Sequence, residues 1–349
     1  MSTHDVYMRR CLELAMNGAG RVSPNPMVGC VIVHSGKIIA EGWHEKFGES
    51  HAEVNAIVSV QTASLLKDAT LYVSLEPCSH QGKTPPCVDL ILEKGIRKVV
   101  VGMKDPNPLV AGSGIRRLKE AGVEVNEGVL EKACAALNHR FIHFHEHKRP
   151  FIILKWAQSK DGFLAPHKAS MSSEVYAEKR HLTGIIVNKL VHRWRAEEDA
   201  ILVGTNTVLA DDPALTVRNW FGRNPLRVTM DRNLVIPENA RILNAEAHSL
   251  VFTEKEKKSS TGVEFIKLNF NENLVYQIVE ELYKRGVQSL IVEGGLFTLQ
   301  KFMAAGYWDE ARVFHTSLSL GSGVSSPGIS GQEISREMID GSELIIYRP

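Results

Sequence analysis

At 349 residues the chain exceeds one typical core, and its net charge of +1 offers no surface for a large polyanion. Hydrophobic residues make up 44% and charged residues 23%, which excludes a disordered or fibrous chain. About two domains are expected. A small phosphorylated substrate, needing only a few local cations, stays compatible, while nucleic-acid and membrane partners are not expected.

The first ten residues carry Asp5, Arg9 and Arg10 and lack the apolar stretch of a signal peptide. Apolar runs such as 28–33 are too short to span a bilayer. Cys11, Cys30, Cys78, Cys87 and Cys134 form an odd set, which argues against a disulfide framework and for a reducing cytoplasm. Cys11, Cys30 and Cys134 sit in apolar surroundings and read as small core residues.

In chain order, residues 6–16 show helical spacing and stop at Asn17-Gly18. Residues 28–33 are a β-branched run, turned at Ser35-Gly36 and returned by 37–40 as a hairpin. Helix is expected over 52–60, strand over 69–74, helix over 87–94 and strand over 97–102. A helix over 114–121 and a strand over 123–126 follow. The alternation predicts a three-layer α/β domain. One closing helix is expected from Val129 to about His145, then a polar, proline-ended boundary that gives domains 1–147 and 148–349. His139, His143 and His147 are spaced four apart, but with no carboxylate or cysteine framework they read as a solvated helix end.

The second domain restarts with a strand over 151–156. Residues 158–183 have no clear period and suggest active-site loops. Helix over 188–198 and strands over 200–204, 226–231 and 250–253 come next. A helix over 274–285, a strand over 289–293, a helix opened by Gly294-Gly295 and a strand over 310–315 complete a second α/β pattern.

The chemistry concentrates in His51-Ala52-Glu53 and in the stretch from Glu76 to Cys87. His51 and Glu53 stand at the start of one predicted helix, and Cys78 and Cys87 bracket a loop running into another. A catalytic zinc takes three protein ligands and lowers the pKa of a water in its open position from about 16 toward 7. His51, Cys78 and Cys87 suit the ligands, and Glu53 suits the proton carrier. A lone His-x-Glu is common by chance, but its combination with a Pro-Cys that follows a strand is not. Zinc nucleobase deaminases share this division of labour with a Pro-Cys-x-x-Cys element. Here eight residues, not two, separate the cysteines.

The segment from Pro77 to Cys87 closely resembles the deaminase domain of the bifunctional riboflavin-biosynthesis deaminase/reductase family. So do residues 24–29, Gly42-Trp43-His44 and Asp105-Pro106-Asn107-Pro108. The resemblance implies a cytidine-deaminase-like three-layer α/β/α fold and removal of the 2-amino group from a phosphoribosylated diaminopyrimidinone. It implies substrate contacts at Asn25, His44, His80 and Lys83. Taken alone, Asn25 between prolines is also turn chemistry and Lys83 also plain surface.

In the second half, residues 200–218 and Glu293-Gly294-Gly295 are similar to the reductase domain of that family, with a dihydrofolate-reductase-like α/β fold and NADPH as hydride donor. Gly294-Gly295 alone fits a tight strand-to-helix turn as well as an anion site. The resemblance places Ala157, His181, Thr207, Asp211 and Gly295 at cofactor positions. It places Lys179, Arg195, Leu215, Arg218 and Glu293 at substrate positions, and Lys155 with Ser159-Lys160-Asp161-Gly162 in the opening motif. Where the family carries a Trp-Ile-Thr-like stretch this chain has His181-Leu182-Thr183, and Lys179 replaces the usual serine before it. The resemblance also implies a homo-oligomer, dimer or tetramer. A second possibility keeps the zinc deaminase but gives it another base, cytidine or a transfer-RNA adenosine, with an accessory NADP-binding domain.

Overall fold

The apolar run near residue 30 becomes the middle of a sheet. In the computed structural model, which describes residues 2–80, 85–107, 111–167, 172–179 and 181–349, β1 (Gly29–His34) turns through Ser35 and Gly36 and returns as β2 (Lys37–Trp43). Both turn residues hold positive φ, the backbone that a tight hairpin needs. The other edge of β1 pairs antiparallel with β3 (Thr70–Leu75). β4 (Lys98–Met103) and β5 (Glu124–Glu127) then extend the sheet in parallel, giving the order β2-β1-β3-β4-β5.

Alternate residues of β1 serve two cores. Cys30 and Ile32 join Ala52 and Ala56 of α2 (Ala52–Val58), Val88 and Ile91 of α3 (Cys87–Glu93), and Ile115 and Leu118 of α4 (Ser113–Glu120). Val31 and Val33 meet Met8, Cys11 and Leu14 of α1 (Thr3–Met16) and Cys134 of α5 (Glu131–Leu137). These are the three expected layers. Helices approach the sheet at backbone distance where it carries glycine: a Cβ on Gly42 would lie 2.4 Å from the Ala56 nitrogen.

The single closing helix expected from Val129 to about His145 is instead two, α5 and α6 (His139–His147), broken at Asn138. Asn138 is 3% exposed. Its Oδ1 accepts the Met27 N–H at 2.8 Å and its Nδ2 donates to the Met27 carbonyl at 2.9 Å. A buried carboxamide needs such partners, and the break lets both bonds form at once.

This first unit spans Met1–Lys148, and a second spans Arg149–Pro349. The second opens with β6 (Phe151–Gln158). Its supposed loop region holds β7 (Phe163–Ala165) and α7 (Ser173–Lys179) among the described residues. Next come α8 (Ile185–Glu197), β8 (Ala200–Gly204), α9 (Thr205–Asp211), β9 (Leu226–Met230), β10 (Ser249–Thr253) and β11 (Val263–Lys267). α10 (Leu274–Lys284), β12 (Ser289–Val292), α11 (Leu296–Ala304) and β13 (Glu310–His315) follow. β14 (Val324–Ser325) pairs with β7, and β15 (Gln332–Ile339) and β16 (Ser342–Arg348) form a terminal hairpin.

Among the described residues the main sheet has nine strands in the order β11-β10-β9-β8-β12-β6-β13-β16-β15, paired in parallel except where β16 lies antiparallel between β13 and β15. Both faces of β6 are buried. Phe151 and Ile153 face Val187, Val191 and Trp194 of α8, whereas Ile152 and Leu154 face Ile278 and Leu282 of α10 and Phe302 of α11. That explains why the parallel strands read as unbroken apolar runs.

Arg227, on β9, is 0% exposed. Its guanidinium donates to the carbonyls of Ala214, Arg241, Asn244 and Ala247 and to Asn244 Oδ1. None of these acceptors is a carboxylate, so the residue works as a clamp between two loops. Arg227→Met leaves those buried acceptors unpaired, each worth about 1–3 kcal/mol. Thermal unfolding of the second unit is expected to show a loss of about 3 kcal/mol or more.

Candidate functional site

β2 and β3, both antiparallel to β1, deliver the pieces of the first site to one end of their sheet. His51 is the N-cap residue of α2, but its side chain caps nothing. Its Nδ1 instead lies 3.5 Å from Cys78 Sγ and 3.4 Å from Cys87 Sγ. Cys78 follows β3, and Cys87 is the first residue of α3, whose backbone N–H donates to Cys78 Sγ at 3.3 Å. The three donor atoms lie within 4.8 Å of one another, and among the described residues no other such cluster of potential ligands occurs. One nitrogen and two sulfurs, His51 and Cys87 at helix starts and Cys78 in the turn after β3, match the donor chemistry of zinc. The hydrogen bond between the two thiol groups lowers the pKa of Cys78 and raises that of Cys87.

Glu53, two residues into α2, is 3% exposed. Burial first, and the neighbouring Cys78 second, push its carboxyl up to about 7. It lines a cavity of about 360 Å³ together with His51, Cys78, Asn25, His44 and His80. His44 Nδ1 meets the Ser50 carbonyl at 3.0 Å and so carries the proton, which leaves Nε2 to accept from the Asn25 amide at 3.1 Å. Burial lowers the pKa of His44 and keeps the ring neutral for that pairing. The structure therefore brings His51, Cys78, Glu53, Asn25, His44 and His80 to one cavity, with Cys87 joined to it through the cluster it forms with His51 and Cys78, while Lys83 lies outside the described residues.

Other cavity residues escaped the sequence. Asp105 and Asn107 were noted only as part of a motif, and His145 only at the end of a supposedly solvated helix; both segments line the cavity. The break at Asn138 would have been the one usable signal for α6.

In the second unit, Glu293 at the end of β12 lies between two cations. Arg195 of α8 donates to its Oε2 at 2.7 Å, and Lys155 of β6 lies 3.8 Å from its Oε1. Burial alone would raise the Glu293 carboxyl; Arg195 and Lys155 outweigh it and bring it down to about 2. Nearby His192 is 2% exposed, and its Nδ1 accepts the Arg218 backbone N–H at 3.0 Å. Burial, then Arg195 and Arg218, lower it to about 4, so the ring is neutral. The adjoining Leu215 is buried with φ +54, a strained backbone for a leucine. Gly295 holds φ +59, and a Cβ there would lie 3.1 Å from Thr207 Oγ1, so two of the expected cofactor positions adjoin. Ala157 lies near the end of β6, and Asp211 is exposed at the end of α9. Lys179 and His181 are exposed, and among the described residues the ion pairs to Glu293 come from Arg195 and Lys155, not from either of them. Lys155 and His192 are the residues whose partnership with that cluster only the fold reveals.

Residues 1–103 match the cytidine and deoxycytidylate deaminase zinc-binding region, and residues 150–341 match the RibD C-terminal domain. The riboflavin biosynthesis protein RibD of Aquifex aeolicus is 42% identical over 327 residues, covering 91% of this chain and 88% of its own. That of Escherichia coli is 37% identical over 338 residues, covering 91% and 89%. A solved Thermotoga maritima structure, a diaminohydroxyphosphoribosylaminopyrimidine deaminase/5-amino-6-(5-phosphoribosylamino)uracil reductase, is 38% identical with a TM-score of 0.85, covering 99% of each chain. These relatives span both units, which favours the two-activity reading over a deaminase with an accessory domain. The chain belongs to the RibD family of bifunctional riboflavin biosynthesis proteins, with a zinc-dependent, cytidine-deaminase-like domain followed by an NADPH-dependent reductase domain of dihydrofolate-reductase-like fold.

Proposed function

We propose that the first unit removes the 2-amino group of 2,5-diamino-6-(5-phosphoribosylamino)pyrimidin-4(3H)-one by hydrolysis. The second unit then reduces the ribosyl group of 5-amino-6-(5-phosphoribosylamino)uracil to a ribityl chain. The carrying observation is the set of three donor atoms beside the buried carboxyl of Glu53, at the wall of one cavity. The Thermotoga maritima relative, named for both reactions, supports the choice of substrates.

His51, Cys78 and Cys87 would hold the zinc, which when bound acts as a Lewis acid that activates water near neutral pH. A carboxyl near 7 can both accept and donate a proton at neutral pH. Glu53 therefore suits the carrier that takes a proton from the attacking water and hands it to the departing amine. Asn25, oriented by His44, and His80 would hold the pyrimidine, with Lys83, three residues beyond His80 in sequence, as a further contact.

In the second unit Arg195, Arg218 and Lys155 exceed Glu293 in charge. That surplus suits a ribose phosphate, and Leu215 would pack against the base. Thr207, Gly295, Ala157, Asp211 and His181 would contact NADPH, which supplies the hydride. Lys179 would contact substrate from the end of α7. We place the protein in the cytoplasm and as a dimer or tetramer on family likeness; among the described residues no helix is long and apolar enough to cross a membrane.

The direct test supplies the diaminopyrimidine to zinc-loaded protein, with and without NADPH, and identifies the products. Ammonia and the aminouracil are expected without NADPH, and the ribityl compound with it; release of ammonia from cytidine alone would reject the substrate assignment. Glu53→Gln is expected to retain zinc and NADPH-dependent reduction while ammonia release falls by about 10²–10⁴-fold. Wild-type ammonia release from that variant would refute the role given to Glu53.

His192 sets a pH limit on the second unit. Its pKa is lowered on folding, so its contribution is complete above the ordinary 6.5 and is lost as pH falls toward about 4. The loss amounts to about 3 kcal/mol. His192→Asn keeps an acceptor for the Arg218 N–H but cannot titrate. Unfolding followed between pH 7 and 4 should show a flatter decline for the variant.

A further inference from the structure

A buried carboxylate stands two residues before Cys78 and takes no part in the chemistry above. Glu76, at the exit of β3, is 4% exposed. Its Oε2 accepts the backbone N–H groups of Asp105 at 3.1 Å and Gly112 at 2.9 Å. Its Oε1 accepts those of Gly114 at 2.8 Å and Ile115 at 3.2 Å. Gly112 precedes α4 and has no side chain to cap it, so this carboxylate from another element takes the amides of the first helical turn.

The contact is tight. A Cβ on Gly114 would lie 2.0 Å from the Pro77 carbonyl oxygen, so α4 begins directly against the turn that carries Cys78. The Glu76 backbone N–H also donates to the Met103 carbonyl at 2.9 Å, which fastens the same residue to the end of β4. Asp105 and Asn107, just beyond β4, line the cavity together with Cys78 of the metal-ligand turn and Glu76 itself. Asp105 Oδ1 accepts the Asn107 N–H at 2.8 Å, so holding one holds both.

We infer that Glu76 is a positioning residue for deamination: its carboxylate sets the distance between the metal-ligand turn and the cavity wall at Asp105 and Asn107. The inference rests on the deaminase reading of the first unit. A glutamine keeps the size of the side chain. It replaces one acceptor oxygen with an NH2 group facing two N–H donors, so two of the four bonds are lost.

The test uses the full, zinc-loaded chain. Glu76→Gln is expected to keep one zinc and to reduce the deaminated intermediate at the wild-type rate. Its deaminase KM should rise about tenfold while kcat changes by less than about threefold. In an Asn107→Ala background the effect of Glu76→Gln on KM should shrink below about twofold, because the wall being positioned is already altered. An unchanged KM in the single variant, or a full effect persisting in the Asn107→Ala background, overturns the inference. If the glutamine variant loses zinc, Glu76→Asp is measured: it keeps both oxygens but is one methylene shorter. Zinc kept with a raised KM supports the positioning role, and zinc lost in both variants shows that Glu76 serves only the ligand turn. Wild-type protein that released no ammonia from the diaminopyrimidine would instead remove the deaminase reading itself, a failure distinct from either.

Discussion

The first unit depends on one close approach, that of α2 and α3 to a common point beside the exit of β3. His51 Nδ1 can stand within 3.5 Å of both thiols only if α2 lies at backbone distance on β2. Gly42 permits this, since any side chain there would enter the Ala52–Ala56 backbone. The same approach carries His44 to His51, their rings 5.4 Å apart and edge-on, and so sets the polar wall of the cavity. Helix starts suit this place because their amides and dipoles stabilise thiolate charge.

The two sites use different physics. In the first, burial raises Glu53 while the hydrogen bond from Cys87 lowers the neighbouring Cys78 thiol, an environment tuned for proton transfer. In the second, one deeply ionised carboxylate is outnumbered by Lys155, Arg195 and Arg218. That excess favours an anion more than any proton transfer. His192, kept neutral, adds no charge and spends its ring nitrogen on the backbone at Arg218. Arg227 supports the same region from below by holding the Ala214 carbonyl. The strained backbone of Leu215 lies between these two anchors.

The strands and most helices were legible because both faces of each sheet are buried, which produces unbroken apolar runs in the strands and apolar spacing of about 3.6 in the helices that cover them. Features with weak patterns were not. β15 is exposed along nearly its whole length, so no alternation marks it, and only pairing with β16 makes it a strand. The break between α5 and α6 is set by Met27, more than a hundred residues away in sequence. Glu76 reads locally as one more acidic residue before Pro-Cys. Its four bonds exist only because β4 and α4 return to it.

The sequence by itself determined the chemical inventory: which residue types could bind zinc, which carboxyl stands beside them, and in what order two α/β units follow. Ligand type, helix starts and the length of the loop between the cysteines are local properties, so they survive without coordinates. Tertiary structure decided which charges face one another. The pairing of Arg195 and Lys155 with Glu293, the neutrality of His192 and the raised pKa of Glu53 all follow from burial and distance. Those quantities arise only when residues far apart in sequence are brought out of water together.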